Sequence, residues 1–145
     1  MKKVIIYTDG SCSGNPGPGG WASIIRYKDF EKEISGGTKD TTNNKMELLA
    51  AIKSLEQLKE RCDVEIYTDS HYVKRGVTEW MPKWKEMGWK NSKKKHIKNI
   101  ELWQELEQFI QKHHMKWYWV KAHSGDEYNE RVDKLAVKAR NKYKW

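Results

Sequence analysis

The segment IYTD at residues 6–9 recurs later in the chain as residues 66–69. Both copies alternate as β-strands do and end at a carboxylate, so they present the same residue types to the same faces of a sheet. If the two strands are parallel neighbours, their backbones lie about 4.8 Å apart. Asp9 and Asp69 would then project from the carboxyl ends of the strands, where open α/β sheets bind ligands. The alternative is that each aspartate only ends its strand, as aspartates in turns commonly do.

Apolar periodicity and turn residues predict the elements around these two strands. The order predicts an α/β fold with a five-stranded mixed sheet, three antiparallel strands and then two parallel ones, flanked by helices. We expect residues 1–145 to form a single domain, because no linker interrupts the pattern. Strands are predicted at residues 4–8, 21–27, 31–35, 64–68 and 115–120, and helices at 42–58, 99–111 and 129–142, with short helices between 70 and 88.

The composition is that of a small globular protein without covalent cross-links. The chain has 145 residues, of which 37% are hydrophobic and 33% are charged, enough to build a core inside a well-solvated surface. Its two cysteines, Cys12 and Cys62, exclude a disulfide scaffold and suggest a reducing compartment. The first apolar run, residues 4–7, is too short for a signal peptide or a membrane span. We therefore expect a cytoplasmic protein without a membrane partner.

Positive charge is concentrated in one stretch of the chain. The 28 Lys and Arg residues exceed the 20 Asp and Glu residues by eight, which indicates an anionic partner such as a nucleic acid. Residues 80–99 contain seven lysines and one acid, together with Trp80, Trp84 and Trp89. Lysines beside flat rings suit a nucleic-acid backbone, whereas an amphipathic helix would bury Trp80 and Trp84. We expect both, with the tryptophans as anchors and the lysines facing outward.

Two further acidic residues extend the candidate site. Glu47 lies in the first turn of the helix predicted at 42–58, although a capping box with Asn44 as the N-cap would also explain it. Asp133 lies early in the last predicted helix, where compensation of the helix dipole is the alternative. Both acids are therefore candidates rather than assignments on spacing alone.

The chemistry that these acids favour is that of a hard cation. Four acids without the Cys/His spacing of a zinc site point to Mg²⁺ or Mn²⁺ held by oxygens. Such a site on a basic protein fits two-metal phosphodiester hydrolysis. His123 lies in a short polar loop, and although most loop histidines have no such role, one beside a metal can move protons near neutral pH.

Five segments of the chain closely resemble type 1 ribonuclease H, the bacterial ribonuclease HI kind. The resemblance runs from about residue 4 to residue 140, and it implies a ribonuclease H-like fold. It also implies endonucleolytic cleavage of the RNA strand of RNA–DNA hybrids, leaving 5′-phosphate and 3′-hydroxyl ends. The segments are residues 7–12 (YTDGSC), 14–20 (GNPGPGG), 41–47 (TTNNKME), 68–70 (TDS), and 123–125 (HSG) followed by 129–133 (NERVD).

The resemblance also assigns the catalytic residues. It implies two Mg²⁺ ions in the substrate complex, with Mn²⁺ as a possible substitute. One ion, shared by Asp9 and Asp69, would prepare the attacking water, and the other, held by Asp9, Glu47 and Asp133, would lie at the leaving group. His123 would be the mobile loop histidine that assists proton transfer or product release.

The same resemblance implies which side chains contact the hybrid. Side-chain amides in a minor groove can recognise the 2′-hydroxyls that only the RNA strand carries. The expected minor-groove residues are Cys12, Asn15, Asn43, Asn44 and His71, the last of which stands where the family commonly has glutamine. The expected DNA-strand residues are Thr42, near a phosphate pocket, Trp80, Trp84 and Lys90 on a basic protrusion, and Asn99 at its base.

Some positions depart from the family pattern, and two other functions remain open. Ala122 stands where many members have glycine, and Glu86-Met87 interrupts the protrusion where a basic pair is frequent. The chain is expected to act as a monomer on an RNA–DNA hybrid. One alternative is a hybrid-binding module without catalysis on the same fold, and another is DNA cleavage of the integrase or resolvase kind.

Overall fold

The computed structural model describes residues 1–89, 97–121 and 126–144. Its strands are β1 (Lys2–Cys12), β2 (Gly17–Tyr27), β3 (Phe30–Thr41), β4 (Cys62–Thr68) and β5 (His114–Trp119). Its helices are α1 (Asn43–Glu56), α2 (His71–Arg75), α3 (Met81–Glu86), α4 (Ile100–Lys112) and α5 (Glu127–Asn141), and the π-helical segment Gly76–Trp80 joins α2 to α3. Among these helices none is both long and apolar enough to cross a membrane.

The strands form one mixed sheet in the order β3-β2-β1-β4-β5. β1, β2 and β3 pair antiparallel, whereas β4 and β5 continue the sheet parallel to β1, which confirms the predicted architecture. In the pairing of β1 with β4, Ile6 lies opposite Ile66 and Tyr7 opposite Tyr67. The two copies of the repeated segment are therefore neighbours in register, and both end at the same edge of the sheet.

Four strands run further than the sequence pattern predicts, most clearly β1 and β3 at their ends and β2 at its start. β1 continues to Cys12 because its last residues stay paired with Gly19 and Gly20 of β2. β3 continues through Gly36, where the ring of Trp21 lies so close that a Cβ would come within 2.8 Å of it. Glycine ordinarily weakens a strand, so a prediction from side-chain alternation ends the strand at these glycines. In the structure the strands remain paired beyond them.

The main core lies between one face of the sheet and the helices α1 and α4. Its fully buried side chains include Ile6, Ile66 and Leu48, and Trp103 of α4 is also completely buried. A Cβ at Gly76 would fall 1.9 Å from the Trp103 ring, so the π-helical segment needs glycine at this point. The absence of a side chain at Gly76 leaves the space that the Trp103 ring occupies.

The opposite face of the sheet is covered by α5. Val132 and Ala136 of this helix pack against Ala22 and Ile24 of β2. The helix backbone rests directly on the strand, because a Cβ at Gly20 would lie 2.3 Å from a backbone nitrogen of α5. This contact fixes the height of α5 above the sheet.

The tryptophans of the basic segment anchor it to the core. Trp80 and Trp84 are partly buried, with ring centroids 6.3 and 5.7 Å from that of Trp103. Lys83 and Lys85 of α3 are exposed. The expected division into buried rings and outward lysines therefore holds for α3, while residues 90–96 lie outside the described part of the chain.

Candidate active site

Three carboxylates meet at the carboxyl edge of the sheet. Asp9 lies on β1, Asp69 follows β4 directly, and Glu47 lies on α1. Each offers one oxygen, and these oxygens all lie within 4.8 Å of one another. Asp9 and Glu47 are each only 5% exposed, whereas Asp69 is partly exposed. The in-register pairing of β1 with β4 is what brings the two aspartates together.

Glu47 reaches this edge because α1 packs tightly against the end of β1. The Gly10 backbone N–H donates to Glu47 Oε1 at 2.5 Å, and a Cβ on Gly10 would lie 2.6 Å from the Glu47 backbone nitrogen. The N-cap of α1 is Thr42, whose side chain accepts a hydrogen bond from the Lys45 N–H at 3.3 Å. The capping-box alternative with Asn44 as the N-cap is therefore wrong, since the Glu47 carboxylate bonds to the sheet instead.

Asp133 completes the acidic lining of the same cleft. It lies in the second turn of α5, beyond the first turn in which a helix dipole favours a negative charge. The cleft encloses about 400 Å³ and contains Asp133 together with Asp9, Glu47 and Asp69. The Asp133 carboxyl group also contributes to the raised pKa of Asp9. The four acids singled out in the sequence thus share one cleft.

The closeness and burial of these carboxyl groups disfavour their simultaneous ionisation. Burial raises the pKa of Asp9 far above its ordinary value, and the negative charges of Glu47 and Asp69 raise it further. Burial also raises the pKa of Glu47, with Asp69 adding to the effect, although the hydrogen bond from Gly10 opposes it. A bound cation would relieve this repulsion. The close group offers only carboxylate oxygens, which are the donors that Mg²⁺ and Mn²⁺ prefer.

Polar side chains lie beside the acids. Asn43 and Asn44 at the start of α1 line the cleft, as does His71 at the start of α2. Asn15 belongs to the adjoining loop, and its side-chain oxygen accepts a hydrogen bond from the Asn43 N–H at 3.1 Å. Cys12 ends β1, and its thiol hydrogen-bonds to the carbonyls of Gly14 in that loop and of Gly17 at the start of β2. A polar surface therefore runs from this loop into the cleft.

The described residues predicted for the DNA strand lie at several places outside the lining of the acidic cleft. Thr42 is the N-cap of α1, while Trp80 and Trp84 belong to the aromatic cluster around Trp103. Asn99 precedes α4, and its side-chain nitrogen donates to the Tyr72 hydroxyl at 3.0 Å. None of these four predicted residues lines the acidic cleft. They would have to meet parts of an extended ligand other than the part that enters the cleft.

Comparison with known proteins agrees with this geometry. The sequence model of the family described as RNase H matches residues 1–141. The chain belongs to the RNase H family. The ribonuclease H of Wolbachia pipientis wMel is 60% identical over 138 residues, which cover 95% of each chain. That of Agrobacterium fabrum (strain C58) is 56% identical over 144 residues, covering 99% of each chain. The resemblance to ribonuclease H is thereby confirmed.

Solved RNase H structures share the fold. LC9-RNase H1, described as a type 1 RNase H with the type 2 active-site motif, is 32% identical with a TM-score of 0.88 over 99% of this chain and 74% of that chain. LC11-RNase H1, solved in complex with an RNA/DNA hybrid, is 26% identical with a TM-score of 0.70 over 96% of this chain and 97% of that chain. The predicted ribonuclease H-like fold is confirmed.

Sequence reasoning missed two residues of this RNase H cleft. Ser70 lines the cleft and caps α2 with its hydroxyl, a role that its place before a predicted short helix could have indicated. Tyr72 lines the cleft and accepts hydrogen bonds from Asn99 and from the Trp103 indole at 3.1 Å. No local pattern identifies Tyr72, because its partners come from a distant helix. The predicted residues Lys90 and His123 lie outside the described ranges.

Proposed function

We propose that this member of the RNase H family hydrolyses the RNA strand of RNA–DNA hybrids endonucleolytically, leaving 5′-phosphate and 3′-hydroxyl ends. The observation that carries the proposal is the meeting of Asp9, Glu47 and Asp69 within 4.8 Å in a cleft that Asp133 also lines. Membership of the family supports it, as does the hybrid bound in the structure of LC11-RNase H1. Acids of this kind on a chain with a net charge of +8 suit a polyanionic substrate.

The acids would hold two Mg²⁺ ions, and Mn²⁺ has the same preference for oxygen donors. Asp9 and Asp69 would share the ion on the side of the attacking water, while Asp9, Glu47 and Asp133 would hold the ion on the side of the leaving oxygen. When bound, the ions supply charge neutralisation of the phosphate and a lower pKa for the water. The Gly10 N–H holds the Glu47 carboxylate in place for this role.

The polar surface beside the acids would distinguish RNA from DNA. Asn15, Asn43, Asn44, Cys12 and His71 would contact the minor groove of the hybrid. Amides can donate to and accept from a 2′-hydroxyl, which is present on the RNA strand alone. Hydrogen bonding of Asn15 to the α1 backbone supports this assignment, because it links the loop to the helix that carries the other amides.

A second set of residues would position the DNA strand. Thr42, Trp80, Trp84, Lys90 and Asn99 would contact that strand at a distance from the acids. Partly buried tryptophans offer fixed rings against which a sugar lacking the 2′-hydroxyl can pack. For Lys90 and for His123, which would assist proton transfer or product release, the sequence resemblance alone supports the roles.

We further propose a monomeric, cytoplasmic enzyme in which residues 1–145 form a single catalytic domain. The match of the family to residues 1–141 supports the domain assignment. Both cysteines are unpaired, which suits a reducing compartment.

A cleavage assay on labelled duplexes tests the function. The chain is incubated with RNA–DNA, RNA–RNA and DNA–DNA duplexes of one sequence, with Mg²⁺ or with EDTA. We expect cleavage of the RNA strand of the hybrid in Mg²⁺ and none of the other duplexes. Binding of the hybrid without cleavage would instead identify a binding module, and cleavage of duplex DNA would overturn the hybrid assignment.

A further inference from the structure

A second groove opens directly beside the acidic cleft. It encloses about 420 Å³ and shares residues 69–71 with the cleft, so the two form one continuous depression. Its other wall is built by Lys74 of α2 and by Trp119 and Lys121 at the end of β5. We call it the flank groove. These three wall residues have no role in the function proposed above.

The two lysines of the flank groove carry uncompensated charge. Lys74 and Lys121 are exposed, and neither forms an ion pair with a carboxylate of the described residues. Elsewhere on the surface, Lys2 pairs with Glu60 at 2.7 Å, and Lys85 pairs with Glu107 at 2.8 Å. Within the described part of the chain, the flank groove thus presents two ammonium groups without an ion-pair partner beside the acidic cleft.

Trp119 adds a fixed apolar surface between these charges. Its ring is partly buried and stacks on the ring of Trp117, with centroids 5.4 Å apart and planes at 11°. Ammonium groups beside an immobilised ring are the combination with which proteins hold the phosphates and sugars of a nucleic-acid strand.

The position of the groove suits one strand of the substrate. Without bound metal, a strand whose reacting phosphate lies among the four acids is repelled there, and cationic groups next to the cleft would attract the neighbouring phosphates. On the α1 side, the cleft is lined by the neutral amides of Asn43 and Asn44. The α2 side leads into the flank groove, where the two lysines supply the missing attraction.

We propose that the flank groove binds the RNA strand at the phosphate next to the one that is cleaved. Lys74 and Lys121 are the phosphate ligands, and Trp119 packs against the adjoining sugar. The inference rests on the proposed hydrolysis of RNA–DNA hybrids, since that activity places the RNA strand in the acidic cleft.

The first test measures the salt dependence of hybrid binding without metal, so that no cleavage occurs. The double variant K74Q/K121Q is compared with the wild-type protein. Each lost phosphate contact lowers the slope of log K against log salt by about 0.9, so we expect a decrease of about 1.8. The affinity gap between the two proteins should then narrow roughly tenfold between 50 and 200 mM salt.

A matched control removes the same charge elsewhere. Lys59 and Lys112 precede β4 and β5, at the end of the sheet away from the acids. K59Q/K112Q should leave the slope unchanged. An equal decrease in both double variants would mean that only net charge matters and would overturn the proposal. An unchanged slope in K74Q/K121Q would overturn it as well.

The second test identifies the strand and the position. Hybrids with a short central block of RNA confine cleavage to a known place, and a neutral methylphosphonate replaces one phosphate at a time in either strand. We expect K74Q/K121Q to raise KM with little change in kcat on every hybrid except one. The exception is the hybrid whose methylphosphonate replaces the RNA-strand phosphate next to the cleaved one. If the increase in KM instead disappears for a methylphosphonate placed in the DNA strand, the proposal is wrong. A wild-type protein that cleaves no hybrid would overturn the proposed function, while the binding slopes would still report on the groove.

Discussion

Asp9 is a charged residue placed where a protein interior disfavours charge. It is 5% exposed and lies against the carboxylates of Glu47 and Asp69. Burial and these two charges keep its pKa far above the ordinary value. By linkage, we expect this arrangement to lower the stability of the metal-free fold, and a bound cation would relieve the same repulsion.

Asp9→Asn should therefore separate stability from activity. We expect cleavage of the hybrid to be abolished, because a metal ligand is lost. We also expect the metal-free thermal midpoint to rise by roughly 3–6 °C, since relief of the repulsion is worth about 1–2 kcal/mol. Thermal unfolding in EDTA and cleavage in Mg²⁺ measure the two effects.

Asp29→Asn is the matched control for that substitution. Asp29 is exposed in the turn between β2 and β3, at the end of the sheet away from the acids. Its substitution should change neither the midpoint nor the cleavage rate. Retained turnover in Asp9→Asn would contradict the assignment of Asp9 as a metal ligand.

His113 gives the fold a pH-dependent contribution away from the cleft. The Cys62 N–H donates to His113 Nδ1 at 3.1 Å, and the ring is 5% exposed. Burial lowers the pKa of His113 below its ordinary value of 6.5. The folded state thus favours the neutral ring, so this contribution is present above pH 6.5 and is lost as the pH falls below it.

His113→Asn should weaken this dependence, because asparagine keeps an acceptor near the position of Nδ1 but does not titrate. Between pH 7.5 and 5.5 the wild-type free energy of unfolding should fall by about 1 kcal/mol more than that of the variant. Urea unfolding at the two pH values measures the difference. Equal losses of unfolding free energy in the two proteins would mean that the pKa of His113 does not differ between the folded and unfolded states.

At the scale of elements, apolar periodicity and turn residues predicted all five strands and the division of the sheet into antiparallel and parallel parts, although not the full length of each strand. The same pattern located the meeting of Asp9 and Asp69, because both follow the repeated segment. It placed the start of α1 within one residue of Asn43, but it predicted neither the glycine-containing ends of β1 and β3 nor the role of Tyr72, which depends on contacts with α4. Local patterns reveal which face a residue takes, whereas these features depend on how closely separate elements approach.

The seating of α5 on β2 links element packing to the site. Gly20→Ala would place a Cβ 2.3 Å from the Arg140 backbone nitrogen and 2.5 Å from the Ala136 carbonyl oxygen. We expect α5 to move outward with Asp133, at a cost of about 2 kcal/mol in stability. The Mg²⁺ concentration needed for half-maximal cleavage should rise as well. Unfolding curves and Mg²⁺ titrations of cleavage measure the two effects.

Gly88→Ala serves as the control for backbone strain without displacement. Gly88 has φ +67°, but a Cβ there meets no atom within 4 Å. This variant should lose about 1 kcal/mol of stability with an unchanged Mg²⁺ requirement. A Gly20→Ala protein with the same Mg²⁺ requirement as wild type would show that α5 can shift without disturbing Asp133.

Over the whole molecule, positive and negative charges are concentrated in different regions. The net charge of +8 conceals a local excess of negative charge at the acidic cleft. A cation that binds only the folded state stabilises it according to its concentration. The metal-free and metal-bound proteins should therefore differ in global stability.

Addition of Mg²⁺ should raise the free energy of unfolding by about 2.7 kcal/mol at a concentration one hundred times its dissociation constant. Removal with EDTA should reverse the gain. Calorimetry over a range of Mg²⁺ concentrations measures the effect, and Asp69→Asn should reduce it. A midpoint that is independent of Mg²⁺ would contradict metal binding to the folded acids.

The direction of β1 has a practical consequence for handling the protein. The strand begins at Lys2 and carries Asp9 seven residues later, so these two residues lie about 23 Å apart at 3.3 Å per residue. A linker attached ahead of β1 therefore leaves from the end of the sheet opposite the cleft. Tethering to a bead or a sensor chip through that linker should keep the cleft open to long duplexes, whereas attachment through Lys74 or Lys121 should obstruct it.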